Sequence, residues 1–188
     1  GILKGQALIT SAKIKRVNND FNGITAAVYT YLDRYGTLPG DDDKADGRWA
    51  DLASTNGNAD GALDGTWDGD VATCTAGTDC ETYYMWSHLQ AANLVASKEP
   101  PKNAFGGAIG VQDVANIIKY NGTDINIDIN GIVICMDRLT GEVAEMVDIN
   151  FDDGEPESGL LKAIVDDATP ALATVYSVSK DYLLCKRI

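Results

Sequence analysis

Residues 14–35 have the sequence IKRVNNDFNGITAAVYTYLDRY. Apolar side chains recur in it at alternating intervals of three and four residues, which is the spacing of an amphipathic helix with one narrow apolar face. The helix is expected to begin near residue 2 and to end at Tyr35, because Gly36 suits the left-handed position after a helix and Pro39 cannot continue one. The residues expected to pack on a partner are Ile14, Val17, Phe21, Ile24, Val28, Tyr31 and Tyr35.

This helix is longer than a domain of this size needs. About 34 residues span about 51 Å at 1.5 Å per residue, so its first half is expected to project beyond the core. Four cations and no acid lie in the first 16 residues, which leaves 11 cations against 28 acids in the rest of the chain. The start of the helix is therefore a basic segment attached to an acidic body.

The composition predicts one folded domain over residues 1–188. A chain of 188 residues with 45% hydrophobic residues can bury a core, which excludes general disorder. A net charge of −13 repels phosphate backbones, so no bulk nucleic-acid binding is expected. We divide the domain into the N-terminal helix (1–35), a loop region with a second helix (36–100), and a sheet with the C-terminal region (101–188).

The chain beyond residue 36 predicts an α+β fold. Residues 36–80 form a long loop rich in glycine and aspartate, and residues 81–97 return to helical spacing. Short strand patterns follow, and Asn-Gly pairs at 121–122 and 130–131 predict turns between them. A third helix is expected over 140–150. The predicted strands are residues 117–120, 125–129, 131–135, 160–165 and 175–185.

The four cysteines predict two disulfides. Cys74 with Cys80 and Cys135 with Cys185 is the simplest of the three possible pairings, because the first pair brackets a short turn and the second joins a predicted strand to the C-terminus. Such disulfides indicate a periplasmic or extracellular protein. Four free thiols in a cytosolic protein are the alternative. Zinc is not expected, since no cysteine or histidine spacing fits a zinc site.

No catalytic group is predicted. His88 is the only histidine and lies in an aromatic helical segment, so we expect it to be packed or at the surface. Ser87 cannot act with it, because adjacent helical residues point apart. Asp152 and Asp153 could be an acid and a base, but aspartates in such a turn more often accept backbone hydrogen bonds. We therefore expect a protein that is not an enzyme and has no organic cofactor.

The acidic loop contains a candidate calcium site. Asn56, Asn58, Asp60 and Asp64 occupy positions 1, 3, 5 and 9 of a pattern that places oxygen ligands around one cation, with glycine at position 6. Position 12 is Trp67 instead of a bidentate acid. A solvated loop without calcium is the alternative.

Five sequence blocks resemble the type IV pilin and pseudopilin family. They are GILKGQALITSAKIKR (1–16), VYTYLDRYGTLPGD (28–41), NGNADG (56–61), ETYYMWSHLQAANL (81–94) and DINFDDGEPESG (148–159). The first resembles the junction between the transmembrane and amphipathic halves of a pilin helix, and the second resembles the turn that follows that helix. The blocks are spread over residues 1–159 and follow the order expected of the family.

The resemblance implies both a fold and a function. It implies a long helix packed on an antiparallel sheet, a Gly/Asp-rich loop, a disulfide-closed C-terminal region, and a subunit of a type IV pilus or related pseudopilus. The membrane anchor, the processing site and the methylated residue are expected upstream of Gly1, with Lys13, Lys15 and Arg16 at the level of lipid headgroups.

The expected partners are other pilin or pseudopilin subunits and an inner-membrane assembly machinery. The expected location is an extracellular filament or the periplasm, with the subunit anchored in the inner membrane before assembly. The alternative function is a secreted, calcium-stabilised adhesive or binding module that uses the acidic loop with Trp49 and Trp67.

Overall fold

A computed structural model describes residues 2–50, 55–69 and 80–188. In these residues the strands form one antiparallel sheet with the order β1-β2-β4-β3. The predicted α+β class, with a long N-terminal helix and an antiparallel sheet, is thereby confirmed. The elements in chain order are α1 (Ile2–Tyr35), α2 (Ala45–Arg48), α3 (Glu81–Ala91), β1 (Ile109–Tyr120), β2 (Thr123–Thr140), α4 (Gly141–Phe151), β3 (Leu161–Val165) and β4 (Asp181–Arg187).

The second half of α1 forms one side of the core. Six of the seven residues of its apolar stripe are buried, and Tyr35 is half-buried against the same cluster. The helix ends where Gly36 adopts a φ of 74° and donates its N–H to the carbonyl of Leu32 at 2.8 Å. A side chain at position 36 would be strained in that conformation. The stripe contacts apolar residues of the sheet and the other helices, including Ile134, Met136, Leu184, Val147 and Leu89.

The first part of α1 lies outside this core. No residue between Lys4 and Lys13 is buried, and Leu8 and Ile9 are 71% and 60% exposed. Contact with the body begins where the Lys13 ammonium lies 5.1 Å from the centre of the Phe105 ring. This agrees with the expectation that the helix is longer than its own core requires.

A long hairpin covers the other face of the sheet. Strands β1 and β2 are joined by Asn121 and Gly122, with φ of 48° and 80°, as the predicted two-residue turn requires. The pairing register shifts between Ala115 and Ile117, where Asn116 and Asp128 adopt φ of 66° and 51°. Residues beyond this bulge join a second buried cluster, which contains Ile118, Ile125, Ile127, Val133, Cys135, Ile164, Leu183 and Cys185.

Three local predictions are wrong. The last strand, predicted over 175–185, begins at Asp181 and ends at Arg187. The Asn-Gly pair at 130–131 lies within β2 instead of ending a strand, because Asn130 pairs with Ala115 and Gly131 pairs with Val114. Helix α3 ends at Ala91 instead of residue 97. Asn93 adopts a φ of 58° and the Leu94 N–H donates to the carbonyl of Leu89 at 2.9 Å, so a left-handed cap ends the helix well before Pro100.

The predicted disulfide between Cys135 and Cys185 is confirmed. The two residues lie directly opposite each other on β2 and β4, with their Cα atoms 4.1 Å apart, and both are fully buried in the second cluster. Cys74 lies outside the described residues, so its pairing with Cys80 stays a prediction.

Candidate functional site

The predicted calcium ligands are partly brought together in the loop over residues 55–64. The side-chain amide nitrogen of Asn58 donates to a carboxylate oxygen of Asp60 at 3.1 Å and to one of Asp64 at 3.3 Å. The amide oxygen of Asn58 accepts the backbone N–H of Asp60 at 2.9 Å. Because that bond fixes the amide orientation, an N–H group faces the two carboxylates where a calcium ligand would present oxygen. Asn56 instead accepts the backbone N–H of Asp46 at 3.0 Å.

Two buried carboxylates hold the backbone of this loop. Asp41 accepts the N–H groups of Asp60 and Gly61 at 3.0 and 2.9 Å. Glu81 accepts the N–H groups of Asn58 and Asp64 at 2.9 and 3.0 Å. Burial raises the pKa of both acids, and these backbone hydrogen bonds oppose the rise. The loop is therefore fixed by acids that lie before and after it in the chain.

A third acid, Asp42, is buried beside α1. Its carboxylate accepts the Tyr31 hydroxyl at 2.6 Å and the Lys44 N–H at 2.9 Å, and it forms an ion pair with Arg48. The Arg48 guanidinium also stacks over the rings of Tyr35 and Trp49. The end of α1 is thus attached to the loop that follows it by a compensated buried charge.

His88 is a structural residue of this region. Its ring is fully buried and stacks on Tyr31 with the ring centres 6.2 Å apart. Nδ1 accepts the Gly40 N–H at 3.0 Å, so Nε2 carries the proton and donates to the carbonyl of Thr55 at 2.8 Å. Ser87 does not contribute a nucleophile to His88, because its hydroxyl donates to the carbonyl of Tyr84 at 2.7 Å.

We expect His88 to make the protein less stable in mild acid. Burial lowers the pKa of His88, with the nearby Arg48 charge acting in the same direction, and protonation of Nδ1 would remove the acceptor for Gly40. The unfolded chain binds a proton near the ordinary value of 6.5. The free energy of unfolding is therefore expected to fall as the pH drops from 6.5 toward the native pKa, by up to about 1.4 kcal/mol per pH unit.

Urea unfolding at several pH values measures this contribution. His88→Gln keeps an acceptor and a donor but cannot titrate, so its stability should not follow the same curve. The buried acids Asp41 and Glu81 titrate in both proteins, and their effects cancel in the comparison. Equal pH dependence of the two proteins between pH 5 and 7 would contradict the assignment.

A second acidic cluster, which the sequence did not predict as a metal site, lies at the end of α4. Asp148 is in the last turn of the helix, Asp152 follows the helix and Asp153 comes next. One carboxylate oxygen of each lies within 4.8 Å of the others. Burial raises the pKa of Asp148 to about 6, the Tyr176 hydrogen bond opposes this, and the charges of Asp153 and Asp152 add to it.

Comparison with known proteins identifies no relative. No family model, curated protein or solved structure matches this chain. None of the helices in the described part of the chain is both long and apolar enough to cross a bilayer. The pilin resemblance, the calcium site and the predicted location stay predictions from the sequence.

Proposed function

We propose that this chain is the globular part of a filament subunit that assembles through α1, in a type IV pilus or a related pseudopilus. The observation that carries the proposal is the unburied start of α1, where Leu8 and Ile9 expose apolar side chains on a helix that extends past its own core. Apolar side chains on such a helix are suited to packing against neighbouring copies of the same helix. The proposal assigns the chain a structural role and no catalytic step.

The distribution of charge supports the same assembly. The cations Lys4, Lys13, Lys15 and Arg16 lie on the exposed part of α1, whereas the body carries the excess of acids. In a filament, the basic helix of one copy could contact the acidic body of the next, and this attraction would weaken with added salt. The other expected partner is an inner-membrane assembly machinery, and the expected location is a surface or periplasmic filament.

The adhesive alternative has less support from the surface. Trp67 is buried, and Trp49 is half-buried with its ring 5.1 Å from that of Tyr35. These tryptophans therefore serve the core more than an exposed recognition surface.

We expect the natural full-length protein, expressed with its assembly machinery, to enter filaments. The double variant Leu8→Glu/Ile9→Glu should reduce its amount in sheared filaments at least tenfold, because two charges would be placed in the helix packing. Immunogold electron microscopy and immunoblots of the sheared fraction measure this. Val178→Glu, at a position 85% exposed on the body, is the matched control and should assemble normally.

Two results would contradict the proposal. One is a folded full-length protein that never enters a filament. The other is equal incorporation of the double variant and the wild type. The gene gives an independent check: a short basic leader followed by about 20 apolar residues agrees with a filament subunit, whereas a conventional secretory signal does not.

A further inference from the structure

Helix α4 exposes apolar side chains on the face that points away from the core. Met146 and Ile149 are 48% and 57% exposed. They are three residues apart, so they lie side by side on the helix surface. The opposite face of α4 is buried in the core through Val143, Ala144 and Val147. The inner face alone holds the helix in place, and the outer pair is available to another molecule.

Leu160 extends this apolar surface past the end of α4. It is 52% exposed, and its N–H donates to the carboxylate of Asp152, directly after the helix. The turn between them lies against the same side of the helix, since a Cβ atom at Gly154 would be 2.8 Å from Cγ1 of Ile149. Exposed apolar side chains that lie together in this way are typical of interaction surfaces.

Two uncompensated acids border the apolar pair. Glu142 lies four residues before Met146, and Glu145 lies four residues before Ile149, so each carboxylate is beside one of the two apolar side chains. Both glutamates are exposed, and neither forms an ion pair with another described residue. The segment 139–161 contains seven acids and no lysine or arginine.

The acids that follow the helix contribute less to the charge of this surface. Lys162 is near enough to Asp153, and Lys186 to Asp152, for their charges to interact. Their negative charge is therefore partly compensated within the same copy. We define the outer face of α4 as the exposed side chains whose charge and apolar surface have no such compensation, which are Glu142, Glu145, Met146, Ile149 and Leu160.

The exposed start of α1 has the opposite charge in a similar arrangement. Lys4 lies four residues before Leu8 and Lys15 lies seven residues after it, so the three side chains share one side of the helix, with Ile9 beside them. All four are exposed. Residues 1–19 contain no acid, and neither lysine forms an ion pair within the described part of the chain. Two cations therefore flank an apolar centre on α1, where two anions border one on α4.

Within one copy the two surfaces do not cover each other. Helices α1 and α4 meet where the ring of Phe21 lies 5.5 Å from that of Phe151, and the apolar side chains of both surfaces remain exposed. Each surface is therefore open to its counterpart on a second copy of the chain.

We propose that the outer face of α4 docks the start of α1 from a second copy. The inference rests on the proposed filament function, and it names the surface that receives the helix. Burial of the apolar side chains would stabilise the contact, and the opposite charges would set its orientation. The side chains brought together are Leu8, Ile9, Lys4 and Lys15 of one copy and Met146, Ile149, Glu142 and Glu145 of the other.

Charge reversal in the natural full-length protein, expressed with its assembly machinery, tests the contact. Glu142→Lys/Glu145→Lys should lower the amount of protein in sheared filaments about tenfold, because like charges would then face each other. Lys4→Glu/Lys15→Glu should lower it by a similar factor for the same reason. A chain with all four changes restores the opposite charges, and it should assemble to within about twofold of the wild type.

The matched control is Asp43→Lys/Asp46→Lys. These acids are also exposed and three residues apart, but they lie in the loop after α1 and at the start of α2. The control changes the net charge by the same amount as Glu142→Lys/Glu145→Lys and should assemble like the wild type. Circular dichroism of the purified chains checks that every variant is folded.

Zero-length crosslinking supplies a measurement on the unaltered protein. A carbodiimide joins a lysine to a carboxylate only where the two groups are in contact. In treated wild-type filaments, the covalent dimer should contain peptides that join Lys4 or Lys15 to Glu142 or Glu145, and mass spectrometry identifies them.

The outcomes separate this contact from the filament function itself. Wild-type protein that never assembles would overturn both. Normal assembly of Glu142→Lys/Glu145→Lys, together with failure of Leu8→Glu/Ile9→Glu, would overturn the α4 contact and leave the filament function in place. Loss of assembly in Glu142→Lys/Glu145→Lys without rescue by the fourfold change, and without the expected crosslinks, would assign the outer face of α4 to a different partner and would also overturn the proposal.

Discussion

Replacing Phe21 with aspartate is expected to unfold most of the protein at room temperature. Phe21 is 0% exposed in the centre of the α1 stripe, and its ring lies 5.5 Å from that of Phe151 on α4 in an edge-to-face arrangement. Loss of a buried phenylalanine costs about 3–5 kcal/mol, and an unpaired buried charge adds to this. The sum is comparable with the whole stability of a typical domain, about 5–15 kcal/mol.

Near-ultraviolet circular dichroism and urea unfolding measure this effect. Phe21→Ala gives the apolar part separately and should lower the free energy of unfolding by about 3–5 kcal/mol. Leu8→Asp is the matched control, because it places the same charge in the same helix at an exposed position. It should change the stability by less than about 0.5 kcal/mol. Equal destabilisation by Phe21→Asp and Leu8→Asp would show that α1 does not pack as described.

Removal of the Cys135–Cys185 disulfide is expected to have the second largest effect. The cysteines are 50 residues apart in the chain, and the release of a loop of that length destabilises by about 4 kcal/mol in the chain-entropy model. The double variant Cys135→Ala/Cys185→Ala should lose about this much free energy of unfolding. Small cavities at two buried positions would add to the loss.

Urea unfolding of the oxidised protein, the reduced protein and the double variant tests this expectation. The reduced protein lacks the same crosslink as Cys135→Ala/Cys185→Ala. Its free energy of unfolding should therefore fall by at least the part of the double variant's loss that comes from the crosslink. Peptide mapping without reductant should recover Cys135 joined to Cys185, and it also tests the predicted pairing of Cys74 with Cys80. A loss below about 1 kcal/mol would mean that the crosslink adds little to contacts already made between β2 and β4.

Local signals in the sequence were sufficient for the parts of the fold that short-range physics decides. The stripe from Ile14 to Tyr35 predicted the buried face of α1, and Gly36 predicted where the helix ends. The Asn121-Gly122 pair predicted a hairpin turn because both residues tolerate positive φ. The same property misled at Gly131, where the strand continues although the residue has a φ of 104°. Only the pairing with β1 distinguishes these two uses of an Asn-Gly pair.

The polar sites depend on contacts that a linear pattern does not contain. Spacing predicted Asn58, Asp60 and Asp64 as neighbours, but it could not show that Asp41 and Glu81 bind the backbone of their loop from 17 or more residues away. Asp148 and Asp152 carried a usable signal, since residues four apart at the end of a helix lie on the same side. The burial of Asp148 and its contact with Tyr176, 28 residues later, required the folded chain.

The cross-strand disulfide also determines what a protease can remove from this protein. The segment 166–180, between β3 and β4, is a candidate for cleavage because Val175 and Val178 are strongly exposed there. A cut in it would separate β4 from the rest of the backbone. The fragment would nevertheless stay attached, because β4 is hydrogen-bonded between β2 and β3 and is covalently joined to β2 through Cys185. Nicked chains would therefore keep their shape and mass until a reductant is present.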